Sequence, residues 1–312
     1  VEDPSLRRLG RQCDEKEFFN TSSCLGLLGL HAEAQQVTNA NNSGPGSLRE
    51  AIANAVSGEV ITFDASLDGQ VLQLGGAITF NKGLTLDASN LPNRFIIDGT
   101  SVGWCLRISD FGTNTPVRLK HLVVRNGSGL FGASIQCGGP LELHDTDFIG
   151  NRGAVRVSGG KVTVMRCRFL GNLPGRDLST PDSPLDVNGQ LEMAGCLFED
   201  NICYSATALN LRGDAIVRDC SFVGNSPEAQ FVVPRETTVV NTTGPGLASF
   251  ERCTFTDNRG DSVLSVYDNT LQLTHCTVVG NSGIGIECQA SVFAPDFDFG
   301  IHYVEQLDSR VE

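Results

Sequence analysis

The chain has 312 residues, 40% hydrophobic and 19% charged, with 35 Gly but only 2 Met and 1 Trp. That balance suits a folded domain of short strands and many turns, not a disordered segment. The formal net charge is −13, and no Lys/Arg cluster exceeds Arg7-Arg8, so nucleic acid and anionic membrane surfaces are poor partners.

Residues 1–36 match nothing downstream and read as an N-terminal extension or accessory cap. The chain begins with Val1 rather than Met, so a processed product or a fragment is expected. No run of about 18 apolar residues occurs, so neither a membrane-spanning helix nor direct membrane insertion is expected.

Asn41 to Gly46 form a turn-rich lead-in. Ser47-Leu48-Arg49-Glu50 is a capping box, in which hydroxyl and carboxylate satisfy free amides at a helix start. Leu48, Ala51, Ile52 and Ala55 follow on one helical stripe, and Gly58 is a stop. This predicts a short capping helix over 47–56. Val60 to Phe63, Val71 to Leu74, Ala77 to Phe80 and Leu84 to Leu86 read as the first strands.

One pattern then recurs six times: apolar-x-apolar-x-x-(Cys)-x-Phe-x-x-Asn. The copies are Leu141 to Asn151, Val162 to Asn172, Leu191 to Asn201, Ala215 to Asn225, Ala248 to Asn258 and Leu271 to Asn281. Thr146 replaces the Cys of the first copy and Val278 the Phe of the last. A weaker copy runs from Val117 to Gly127. Successive Asn lie 21, 29, 24, 33 and 23 residues apart.

Each copy holds two period-2 pairs joined by a phase shift, as at Thr274-His275, so two short strands meet at a bend. A third apolar alternation follows each Asn, at Ala154 to Val157, Ala206 to Leu211, Ser262 to Val266 and Gly283 to Ile286. Three strands per repeat describe a triangular coil, and only stacking buries its apolar face. The predicted fold is an all-β, single-stranded right-handed parallel β-helix over 37–288. The Asn is expected to take the left-handed conformation of a sharp corner and to hydrogen-bond from coil to coil. Residues 289–312 leave the repeat and read as a C-terminal tail or cap.

Gly46-Ser47-Leu48-Arg49-Glu50-Ala51-Ile52 resembles the CSLREA-type opening segment of bacterial and algal β-helix proteins. The Phe-x-x-Asn repeats, with Gly75-Gly76-Ala77-Ile78, resemble those of the chlamydial polymorphic outer-membrane proteins. The likeness covers roughly 37–288, although Gly46 stands where the motif has Cys. It implies a pectin-lyase-like solenoid of an extracellular or cell-surface protein that is structural or adhesive, typically not an enzyme.

Cys167, Cys196, Cys220, Cys253 and Cys276 fall on one ladder and are expected to be free and buried. Cys13 with Cys24 and Cys105 with Cys137 are candidate disulfide pairs. Asn20, Asn41, Asn126 and Asn241 open N-x-S/T sequons, which matter only in a secreted eukaryotic chain.

Glycoside hydrolysis needs two carboxylates facing one groove. The nearest acidic pairs are Asp145/Asp147, Asp182/Asp186 and Asp296/Asp298. The first flanks an inward rung and is expected to solvate the outer face. The second falls in a Pro-rich loop and the third near the tail. No catalytic, cofactor-binding or metal-ligating residue is assigned, and no cofactor is expected. The two longest repeats carry extra residues after the same corner, in loops 173–185 and 226–246. Insertions at one repeat position share one face of a solenoid, so these loops are the expected contacts with other protein subunits or surface glycans. The expected function is a non-catalytic structural or adhesive module within a larger assembly. The alternative is a carbohydrate-active enzyme, a polysaccharide lyase or glycoside hydrolase, with a shallow groove on one sheet face.

Overall fold

Three long parallel sheets share one core in the computed structural model. It describes residues 35–100, 103–109, 112, 114–128, 133–174, 183–204, 206–228, 237–289, 304–307 and 310–311, with the backbone alone for 288–289, 304–307 and 310–311. The first sheet has 11 strands, the second 10 and the third 9. Each coil gives one strand to each, and every ladder is parallel, as in Leu141–His144 on Lys161–Met165, Asp147–Ile149 on Arg168–Leu170 and Val155–Val157 on Leu185–Asn188. The chain is thus a parallel β-helix, and residues one coil apart in register become neighbours.

The second sheet carries the repeat most plainly. Phe148, Phe169, Phe198, Phe222, Phe255 and Val278 pair rung on rung. Consecutive rings stack with centroids 4.9, 4.5, 5.0 and 4.7 Å apart. The separation matches the ~4.8 Å between strands, so one coil's ring fills the space above the last without a change of rotamer.

The phase shift between first and second sheets is a left-handed residue. His121, Asp145, Arg166, Asp219, Arg252 and His275 have φ between 49° and 57°, and Gly195 has 63°. For residues other than glycine this costs about 1–2 kcal/mol apiece, offset by the inward Cys and Phe on the far side of the bend.

At the second corner the structure corrects the reading of the asparagines. The left-handed position belongs to the residue before each Asn: Gly150, Gly171, Asp200, Gly224, Asp257 and Gly280. The Asn itself faces inward. Asn201 is fully buried; its Nδ2 donates to Phe169 O at 2.9 Å and Asn225 Oδ1 at 2.8 Å. Its own Oδ1 accepts from the backbone and side-chain amides of Asn172 at 3.0 and 2.9 Å. The same bonds recur from Asn151 to Asn281. A corner that would orphan buried backbone groups is satisfied by the next rung's side chain.

The helix Leu48–Asn54 caps the first coils, with Leu48, Ala51 and Ile52 buried. Ser47 is its N-cap, but Glu50 reaches one residue further back than a capping box requires, accepting from Gly46 N–H at 2.6 Å. Arg49 ties the helix to the corner between the strands Val71–Gln73 and Ile78–Phe80 through Gly76 O and Ala77 O at 2.7 and 2.8 Å. Lys82 Nζ meets the carbonyl of Ala55 at the other end. Gly46 is left-handed, φ 76°, and a Cβ there would collide with Thr38 Oγ1.

Two further sequence readings change. Thr238–Thr243, placed in the loop 226–246, is a strand of the third sheet, and Leu185, the last residue of the loop 173–185, opens another that runs to Asn188. The Phe-x-x-Asn pattern ends at Asn281, yet Val304–Leu307 and Arg310–Val311 still pair onto the first and second sheets. Residues 1–34, with Cys13, Cys24 and Asn20, lie outside the described residues.

Candidate binding face

The third sheet carries a polar row on the side away from its apolar core, with Asp186 and Asn210 themselves buried. Its inward positions alternate with it in period 2: Val155 and Val157, Leu185 and Val187, Leu209 and Leu211 are all in the core. Between them Arg156 stands on Asp186, Asp186 on Asn210, and Asn210 on Asn241. Asn210 Nδ2 donates to Asp186 Oδ1 at 2.8 Å, and Asn241 Nδ2 to Asn210 Oδ1 at 2.9 Å. Arg156 Nε lies 3.4 Å from Asp186 Oδ2 and Arg212 Nη1 3.9 Å from Oδ1. Toward the N-terminus, Gln136 and Arg107 continue the row, and the Arg107 guanidinium lies 5.0 Å over the Trp104 ring.

Asp186 was read as a solvated loop residue. It sits instead in a strand, 4% exposed. Burial pushes its carboxyl above the ordinary range, against the hydrogen bond from Asn210 and the charges of Arg156 and Arg212. Asp147 also departs from expectation. It points off the second sheet but is 2% exposed, held by Arg94 Nη1 at 3.1 Å and by Arg168. Asp145 fits the solvated reading better: it is half-buried and forked by Arg166 at 2.8 and 2.7 Å, whose hydrogen bonds hold it below the ordinary range. Asp182, Asp296 and Asp298 lie outside the described residues. No acidic pair singled out in the sequence is thus brought together over one groove among the described residues.

Both insertions open beside the polar row. Leu173 and Glu228 still pair with the preceding coil, and the described chain resumes at Ser183 and Thr237, each just ahead of a third-sheet strand. Residues 175–182 and 229–236, parts of the two expected contact loops, lie outside the described residues. The strand Ala206–Arg212 separates the two return points.

A second feature sits on the first sheet. A shallow groove of 460 Å³ is lined by Asn114, Pro116, Arg118, Pro140, Glu142, Gly160, Lys161 and Thr163. Arg118 forks Glu142 through Nε at 2.7 Å and Nη2 at 3.1 Å, and Lys161 pairs with Glu192 at 2.9 Å. Partial burial opposes ionisation of Glu142, but Arg118 outweighs it and holds the carboxyl below the ordinary range. Lys161 does the same for Glu192.

The cysteine ladder is inward, with Cys167, Cys196, Cys220, Cys253 and Cys276 all buried. Each thiol faces the carbonyl two residues back, as in Cys220 to Arg218 O at 3.1 Å. Cys105 and Cys137 are free. Cys137 pairs in register with Ile108, and Cys105 binds Ser134 O. They stand three residues out of step, about 10 Å along the strand and beyond disulfide reach. Burial drives Cys105 up to about 12 and Cys137 up to about 11.

Of the sequons, Asn126 donates to Asp98 and Asn241 to Asn210; Asn41 is exposed. Among the described residues no group of three or more His, Cys, Asp or Glu could hold a metal ion, and no helix is long and apolar enough to cross a membrane.

No protein-family model matches the chain, and no curated protein matches it. Among solved structures it is similar to ORF18 of Geobacillus virus E2, at 11% identity and a TM-score of 0.36, over 88% of this chain and 59% of that one. The chain therefore spans less than two thirds of that protein's length, and the likeness is too slight to carry a functional argument.

Proposed function

We propose that the chain is a non-catalytic, extracellular or surface-exposed β-solenoid that serves as a structural or adhesive module within a larger assembly. It meets another protein subunit or a surface glycan through the two insertions. One observation carries this reading: both insertions return to the same sheet, one strand apart, beside a continuous polar row. A stacked coil is a rigid scaffold, and chain added at one repeat position accumulates on one face. The likeness of the opening segment to surface β-helix proteins supports the same conclusion.

The alternative, a carbohydrate-active enzyme, has the first-sheet groove in its favour. Its carboxylate speaks against it. A general acid needs a raised pKa, whereas Glu142 is fixed in its ionised form by Arg118.

Replacing 175–182 and 229–236 with short Gly-Ser links tests the proposal. The variant should keep the far-ultraviolet circular dichroism of the solenoid and lose self-association and cell-surface binding. Unchanged association and binding contradict it, as does product release from polysaccharides by the intact chain.

A further inference from the structure

We propose that the first-sheet groove is a binding site for a neutral saccharide. It crosses three successive coils where the chain passes from the third sheet to the first, at Pro116, Pro140 and Gly160. That corner is far along the coil from the asparagine corner where the insertions leave, so the inference does not depend on their role.

The lining matches the two surfaces of a sugar ring. The rings of Pro116 and Pro140 give flat apolar edges for a C–H face. The Arg118–Glu142 fork presents donors and acceptors side by side. The fork uses two of the five guanidinium N–H groups and both side chains remain partly exposed, while vicinal hydroxyls both donate and accept. Asn114 and Thr163 add one more mixed pair of groups.

Charge and backbone select against other ligands. Arg118 is neutralised by Glu142 and Lys161 by Glu192, so a phosphate or uronate finds no uncompensated cation and a metal no spare carboxylate. A peptide adding as a strand needs an open edge. The strands Val117–Lys120, Leu141–His144 and Lys161–Met165 are paired on both sides. What remains is a ligand of hydroxyl groups on a compact apolar frame.

Saturation-transfer NMR on the full chain tests this, with cellobiose, maltose, lactose and diacetylchitobiose as neutral probes and trigalacturonate and inorganic phosphate as charged ones. At least one neutral disaccharide should receive saturation, and the charged probes should not. Thr163→Trp, which fills the groove from an outward position, should abolish the signal. Glu142→Gln, which weakens the fork without changing its shape, should weaken binding about tenfold or more. Ser249→Trp, an outward first-sheet position outside the groove, should leave binding unchanged. Circular dichroism identifies any variant that fails to fold, and Glu142→Gln then carries the test alone. No transfer to any neutral probe, tighter binding of trigalacturonate, or folded groove variants that bind as the parent does would overturn the proposal.

Discussion

The opening coils and the central coils solve the same problem in different ways. From Phe148 onward, like residues stack: Phe on Phe, Cys on Cys, Asn on Asn. Before that, no column is uniform. The Phe column begins Leu72, Ile97, Val124, and the Asn column begins with Gly127. There Asn126 takes the left-handed position, φ 57°. Gly127 N–H still donates to Asn151 Oδ1 at 3.0 Å, but the missing side chain is replaced by Ser134, whose hydroxyl donates to the same oxygen at 2.8 Å. A Cβ on Gly127 would lie 2.3 Å from that hydroxyl. Uniform columns extend indefinitely because each rung satisfies the next; the end of a column needs a residue of different shape.

The largest effects should come from breaking the uniform columns. Phe198→Ala, with stacked rings on both sides, should lose about 3–5 kcal/mol in urea unfolding, whereas Val124→Ala at the column's start should lose less. Asn201→Ala orphans the Phe169 carbonyl and the Asn172 amides, and should cost about 3 kcal/mol. A loss below ~1 kcal/mol would show that the amide column is not needed at the corner. In the opening coils the sign of size changes reverses. Gly127→Ala should cost about 1–3 kcal/mol by overpacking, and Ser134→Gly in the same chain should recover part of it.

The central coils were legible because their columns repeat in the sequence. Phe-x-x-Asn gave the second sheet and its corner, and the capping box gave the helix. What was misread lies where local pattern and register part company. Asn looks like a left-handed corner residue by its preferences, but Gly or Asp ahead of it takes that strain and leaves the amide free to bond inward. Asp186 looked like loop because Pro181, Ser183 and Pro184 precede it. The groove was invisible because Arg118, Glu142 and Thr163 become neighbours only through pairing between coils of unequal length. No spacing in the chain marks them, and the same holds for Arg156, Asn210 and Asn241.

Smaller effects separate the two regions by titration. In the opening coils, burial opposes ionisation of Asp98, but Thr100, Arg125 and Asn126 hold it down to about 2. Its unfolded value is near 3.9, so its contribution is complete above about pH 4 and is lost as pH falls toward 2. Asp98→Asn should flatten the acid limb of the stability profile over that window; an unchanged limb contradicts the assignment. In the central coils the thiols should be silent. The eight buried thiols Cys105, Cys137, Cys167, Cys196, Cys203, Cys220, Cys253 and Cys276 should resist alkylation in native protein at about pH 8, below the ordinary thiol pKa, and label once the chain is unfolded; native labelling of any of them contradicts their burial.

A crystal structure at a resolution that places side chains would decide whether one register of coils builds the whole scaffold. The rings of Phe148, Phe169, Phe198, Phe222 and Phe255 should stand 4.5–5.0 Å apart in one file, with an unbroken line of asparagine amides at the corner beyond. Rings divided among separate cores, or asparagines turned out to solvent, would contradict it.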